Sequence, residues 1–134
     1  MATILIIDPN NLRLEAQEAV IRTMGHNPVT AGSGADAIAA LSEHPETSLL
    51  LCNLEIPDGT FEDFVKAVRS TPHYAILPFV MLAEECEPSR LMNLISSGIE
   101  GMIKLPMSAE LLTTTVQKGI DIYAQRHFAE GRSA

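Results

Sequence analysis

Short apolar runs alternate with helix-spaced apolar patterns from one end of the chain to the other, and this alternation limits the possible folds more than any other feature. Thr3-Ile4-Leu5-Ile6-Ile7 is β-branched and continuously apolar, as suits a strand covered on both faces. Asn10 or Asn11 can cap the helix after it, where Leu12, Ala16, Ala19, Val20 and Met24 recur at helical spacing and Gly25 ends the element. Pro28-Val29-Thr30-Ala31 is a weak second strand. Ser33 caps a small helix expected to turn Ala35, Ile38, Ala39 and Leu41 inward. Leu49 to Cys52 form the third strand, and Phe61, Phe64, Val65 and Val68 mark the third helix. Phe79-Val80-Met81-Leu82 follows Pro78 as the fourth strand; Pro88 or Ser89 opens a helix with Leu91, Met92 and Ile95, closed by Gly98. Gly101-Met102-Ile103-Lys104 is a short fifth strand, and Ser108 caps a long final helix with Leu111, Leu112, Val116, Ile120 and Tyr123 inward.

Repeated strand-then-helix units predict a doubly wound α/β fold, because parallel strands need crossovers of this length and the crossovers cover both sheet faces. The 134 residues fit one domain, expected over 1–128, with a small, polar and frayed tail over 129–134. In such a fold, ligands bind beyond the carboxyl ends of the strands. Those ends are Asp8, Asn53, Ala83 and the Lys104-Leu105-Pro106 turn.

The net charge of −8 argues against nucleic acid or an anionic membrane as a partner, since binding either needs a basic patch. No apolar run approaches the ~20 residues of a membrane span, and Met1-Ala2-Thr3-Ile4 lacks the basic region of a secretory signal, so a cytoplasmic location is expected. Cys52 and Cys86 fit no metal spacing and no disulfide framework; Cys52 reads as an apolar filler on a buried strand and Cys86 lies in a polar stretch. His26, His44, His73 and His127 have no ligand spacing and no adjacent nucleophile, so surface histidines are expected and no enzyme is read from them.

The chain resembles the receiver domains of bacterial two-component response regulators, the CheY-like family. Ile4-Leu5-Ile6-Ile7-Asp8 is similar to that family's first strand with its acidic end, and Leu51-Cys52-Asn53-Leu54-Glu55-Ile56-Pro57-Asp58-Gly59 to its third strand and following loop. Pro78 to Ala83 is similar to the fourth strand, and Gly98 through Lys104-Leu105-Pro106 to the fifth. The resemblance implies a flavodoxin-like five-stranded parallel sheet in the order 2-1-3-4-5 with five helices. It also implies a phosphoacceptor aspartate where this chain has Asn53, and a pair of adjacent acids for Mg²⁺ where it has Asp8-Pro9. Glu55 could turn its carbonyl to that site, but one carboxylate and one carbonyl make a poor Mg²⁺ site, so no cofactor is expected beyond weakly held Mg²⁺. The family's switch hydroxyl and aromatic correspond to Ala83 and Met102; its lysine immediately precedes a proline, but here Leu105 precedes Pro106 and Lys104 stands one place early. A one-residue shift on a strand moves a side chain to the opposite face.

These departures point to a degenerate pseudo-receiver that signals by protein–protein interaction without phosphorylation, stand-alone or excised from a longer protein. The resemblance implies partner binding through the face of the fourth helix, fifth strand and fifth helix; homodimer formation stays open. Asp8 either binds a cation weakly, pairs with Lys104 or is a solvated strand-end carboxylate, and Glu55 and Asp58 are exposed loop acids. Glu84, Glu85 and Glu87 form an acidic loop beside the pocket, and Met92, Met102 and Met107 are core filler or an adaptable contact surface. Two alternatives remain: an ordinary receiver with Asn53 introduced by engineering, and a small-ligand or flavin-binding protein, whose phosphate loop would be Ala31-Gly32-Ser33-Gly34.

Overall fold

Side-chain alternation along each strand divides the core in two. In the computed structural model, which describes residues 1–130, Ile4 and Ile6 of β1 (Thr3–Ile7), Leu49 and Leu51 of β3 (Thr47–Asn53), and Val80 and Leu82 of β4 (Phe79–Ala83) point to one sheet face. Leu5 and Ile7, Leu50 and Cys52, and Phe79 and Met81 point to the other. The first face is covered by α1 (Asn11–Thr23) and α5 (Ala109–Ala129), the second by α2 (Gly34–Glu43), α3 (Phe61–Ser70) and α4 (Pro88–Ser97). β2 (Asn27–Ala31) and β5 (Gly101–Lys104) form the edges of a five-stranded, wholly parallel sheet in the order β2-β1-β3-β4-β5. This is the doubly wound flavodoxin-like topology expected from the sequence, with Asn53 ending the central strand.

The strands extend slightly beyond their apolar runs: Asn27 joins β2, Thr47, Ser48 and Asn53 join β3, and Ala83 joins β4. A short 3-10 turn, Pro72–Tyr74, lies between α3 and β4 and was not foreseen. Side-chain oxygens of Asn10, Ser33, Thr60 and Ser108 accept the third-residue N–H of their helices, and Gly25 (φ 85°) and Gly98 (φ 119°) leave α1 and α4 in the left-handed region. In α3, Phe61, Phe64, Val65 and Val68 are all buried, and both phenylalanine rings meet Phe79 edge-on at centroid distances of 5.5 and 5.7 Å. Gly119 lets α5 lie directly on β3: a Cβ there would stand 2.6 Å from Leu49 Cδ1.

In α5, Leu112, Val116, Ile120 and Tyr123 pack inward as their spacing predicts, while α1, α2 and α4 keep only part of the expected stripe. In and just after α1 the inward residues are Leu14, Gln17, Val20, Ile21 and Met24, with Val20 and Met24 as expected, while Leu12 is 80% exposed and Ala16 and Ala19 face water. The stripe is hidden in the sequence because a polar residue, Gln17, sits in its middle. In α2, Gly34, Ala37 and Leu41 face inward, and Ala35, Ile38 and Ala39 outward. Leu94 anchors α4 while Met92 and Ile95 are exposed, and in α5 Leu112 and Val116 are buried while Leu111 is exposed. In α2, Leu41 thus faces inward as expected, and Gly34 and Ala37 join it. Helix α5 runs through Ala129, and residues 131–134, most of the expected tail, lie outside the described residues.

Candidate functional site

The carboxyl ends of β3, β4 and β5 and the start of α1 surround a cavity of about 380 Å³ lined by Arg13, Asn53, Glu55, Ala83, Glu84, Glu85 and Leu105, among others. Asp8, which directly follows β1 and pairs with the lining residue Arg13, is 1% exposed. Such a carboxylate is stable in a buried position only if its oxygens are fully engaged. Arg13 supplies a forked pair, Nε to Oδ2 at 2.5 Å and Nη2 to Oδ1 at 2.9 Å. The Asn10 backbone N–H adds 2.9 Å to Oδ1 and Gln17 Nε2 adds 3.2 Å to Oδ2. Its hydrogen bonds to Asp8 raise the pKa of the Arg13 guanidinium against the opposing effect of burial, with Glu84 and Glu55 adding to the rise.

Of the three readings of Asp8 made from the sequence, its pairing with Lys104 and its solvated state are corrected. It is buried, and its cationic partner is Arg13. Sequence reasoning missed Arg13. The available signal was its position in the first turns of the helix that starts directly beyond Asp8, where a long side chain can reach back to the strand end.

Asn53 is 4% exposed, and its Oδ1 accepts the Glu55 N–H at 2.8 Å, which closes the turn after β3. Pro9 is exposed and offers no side-chain donor atom. Ala83 is buried at the end of β4 opposite Lys104 in the β4–β5 register. Lys104 itself is exposed and lies with Met102 and the acidic residues Glu84, Glu85 and Glu87 along a neighbouring groove, not in the Asn53 cavity. Leu105 takes the cavity wall instead, ahead of a cis bond to Pro106. Met102 is half-buried against the α3–α4 side of the core, and Met107 against the α1–α5 side.

Magnesium would need several hard oxygens free to converge. Both Asp8 oxygens are bound by Arg13, the Asn53 oxygen is bound by a backbone N–H, and Pro9 contributes none, so the residues present do not fit that ion. Among the described residues no group of three or more His, Cys, Asp or Glu is arranged to hold a metal.

Elsewhere, Asp58 is exposed but not idle. Its oxygens accept the N–H groups of Gly34 at 2.7 Å and Ala35 at 2.9 Å, and these hold its carboxyl below the usual carboxylate range, the Ala35 bond contributing most. The backbone donors that a phosphate would require at the Gly32-Ser33-Gly34 turn are thus taken by a protein carboxylate. Cys52 is buried, which pushes its thiol pKa up and makes it inert, while Cys86 is half-buried.

A strand-end cavity at the centre of a 2-1-3-4-5 sheet defines the class: a doubly wound parallel α/β domain. None of the family models matches the chain. It is 22% identical over 110 residues to chemotaxis protein CheY1 of Helicobacter pylori, covering 81% of this chain and 89% of that protein. It is 20% identical over 104 residues to the two-component response regulator ORR7 of Oryza sativa subsp. japonica, covering 78% of this chain but only 50% of that protein. Chemotaxis response regulator CheY4 of Vibrio cholerae superimposes with a TM-score of 0.82 at 26% identity over 89% of this chain and 98% of that one. Fold, relatives and solved structures together support a CheY-like response-regulator receiver domain of two-component signalling. Among the described residues no helix is long and apolar enough to cross a membrane.

Proposed function

We propose that this chain is a receiver-like signalling module that works without phosphotransfer, holding one conformation and binding a protein partner in the cytoplasm. The observation that carries this reading is the forked Arg13–Asp8 pair: a fixed guanidinium occupies the carboxylate that a catalytic cation would need. Phosphoryl transfer depends on positioning and charge neutralisation, much of it supplied by metal ions. Asn53 supplies no carboxylate nucleophile, and Ala83 supplies no hydroxyl to register a phosphoryl group. An Asn53 introduced by engineering would leave Pro9, Ala83, Leu105 and the Arg13 pair unaccounted for. A flavin reading loses its phosphate loop to Asp58.

The partner face is built from α4, β5 and α5. Met92 is 69%, Ile95 47% and Leu111 44% exposed, and half-buried Met102 lies on β5. Arg126 of α5 reaches Glu100 just before β5. Flexible methionines beside exposed aliphatic side chains suit protein contact rather than catalysis. The test is an NMR titration with beryllofluoride and Mg²⁺. No amide shifts are expected around Asn53, Ala83 or Lys104, and saturable shifts at those residues would overturn the proposal.

A further inference from the structure

Asn53 ends β3 in the wall of the 380 Å³ cavity. Its Oδ1 accepts the Glu55 N–H at 2.8 Å, and a backbone nitrogen can only donate, so the orientation of the amide is fixed. Nδ2 is then a donor with no protein acceptor among the described residues. It is not sealed in the interior, since Gln17 Oε1 is the one unpartnered side-chain atom there that is. Asn53 is 4% exposed and lines the cavity, so Nδ2 opens on that space.

The wall around this donor is acidic. Glu55, Glu84 and Glu85 line it, and no side-chain hydrogen bond or salt bridge engages any of the three. Arg13, the one cationic lining group, is neutralised by Asp8, so the surplus charge of the lining is negative. Glu84 and Glu55 both help to raise the Arg13 pKa, which places their carboxylates within electrostatic reach of that wall. The carboxylates do not converge as the ligands of a metal ion would.

We propose that this cavity binds a small organic cation, an ammonium facing Glu84 and Glu85 and joined by a short chain to a neutral carbonyl oxygen that accepts from Asn53 Nδ2. Three carboxylates repel an anion, and a metal ion finds no cage of oxygens. A purely hydrocarbon amine leaves the Asn53 donor desolvated and unpaired, and a neutral amide leaves the carboxylates uncompensated. The volume lies in the ~300–1,000 Å³ range of small-molecule sites. The inference rests on the reading of this strand end as closed to phosphotransfer, because a phosphoryl group and its Mg²⁺ would need the same space.

The probes are 4-aminobutanamide, pentylamine, which keeps the charge and length but has no oxygen, and butanamide, which keeps the carbonyl but has no charge. In NMR titrations of the isotope-labelled full chain at constant ionic strength, 4-aminobutanamide is expected to give saturable shifts at the Asn53 side-chain amide and at the Glu55, Glu84 and Glu85 N–H groups. Pentylamine and butanamide should each bind about 3- to 10-fold more weakly. Glu84 and Glu85 are both exposed. Glu84→Gln combined with Glu85→Gln should weaken 4-aminobutanamide about 3-fold or more and leave butanamide unchanged. In Asn53→Leu, 4-aminobutanamide and pentylamine converge in affinity; the wild-type ratios stand even if that variant fails to fold. Equal wild-type affinities for the two amines, undiminished binding by the double glutamine variant, or no saturation by 4-aminobutanamide at millimolar concentration would each overturn the proposal. Beryllofluoride with Mg²⁺, added to the same sample, keeps the two readings apart: silence toward it together with silence toward all three probes overturns the cation site alone.

Discussion

At the scale of single residues, the buried carboxylate of Asp8 is held by a covalently attached cation. Arg13 is always charged, its fork matches the carboxylate of Asp8, and it cannot dissociate as a metal ion can. The pair is half-open: the Arg13 side chain keeps 29% of its surface exposed while that of Asp8 keeps 1%. Removing one partner of a fully buried pair costs ~3–5 kcal/mol, mostly by leaving the other charge unpaired. Arg13→Met is therefore expected to lose about 2–3 kcal/mol in urea unfolding at neutral pH, water at the open side of Asp8 offsetting the rest. Asp8→Asn combined with Arg13→Met should be closer to wild type than Arg13→Met alone, because it leaves no unpaired charge. A double variant as unstable as the sum of the two single ones would show that the residues act independently.

At the scale of elements, the loop after β3 and the start of α2 are joined by a carboxylate cap. Asp58 accepts the Ala35 and Gly34 N–H groups, and its carboxyl is held below the ordinary range in the folded state. A lowered folded-state pKa stabilises above the unfolded value, and that stability is lost as pH falls through the folded one. The gap in melting temperature between wild type and Asp58→Ala should thus be widest near neutral pH and narrow on acidification below about pH 4. A gap unchanged between about pH 7 and about pH 3 would show that the charge of Asp58 adds nothing to its cap. The strands and caps were legible because they depend on local signals: β-branched runs, Asn, Ser or Thr before a helix, and Gly after one. The inward faces of α1 and α2 were only partly so. Their decisive residues are a buried glutamine tied to Asp8 and small residues at the sheet, and neither reads as core from hydropathy alone. Asp58 reads as a plain exposed acid for the same reason, its partners lying 24 and 23 residues away.

At the scale of the whole molecule, the two ends of the sheet serve different purposes. At the amino end of β4, Glu100 binds Arg69, Arg126 and the Phe79 N–H, tying α3, α5 and the sheet into one body. At the carboxyl end lies the Asn53 cavity, with the Arg13–Asp8 pair beside it. The positions of Asp8, Asn53, Ala83 and Leu105 were legible because strand ends follow from apolar runs, and the outward turn of Lys104 follows from the two-residue period of β5. Arg13 was not, since its role needs the helix to fold back over the strand end. That residue changes what repair requires. Asn53→Asp restores a nucleophile and one metal ligand, yet labelling by acetyl phosphate should stay negligible, because Pro9 still lacks the second acid and Arg13 still covers Asp8. Adding Pro9→Asp should raise Mg²⁺ affinity and labelling together, and adding Arg13→Met to that pair should raise both further by uncovering Asp8. Even the triple variant should bind a partner with nearly unchanged affinity after labelling. A phosphoryl group shifts a conformational equilibrium only if it contacts the two states differently, and neither Ala83 nor Met102 offers it a hydroxyl or an aromatic ring to move. Rapid labelling of Asn53→Asp alone would show that Arg13 yields readily to Mg²⁺. A large change in partner affinity on labelling the triple variant would show that a switch persists without the hydroxyl.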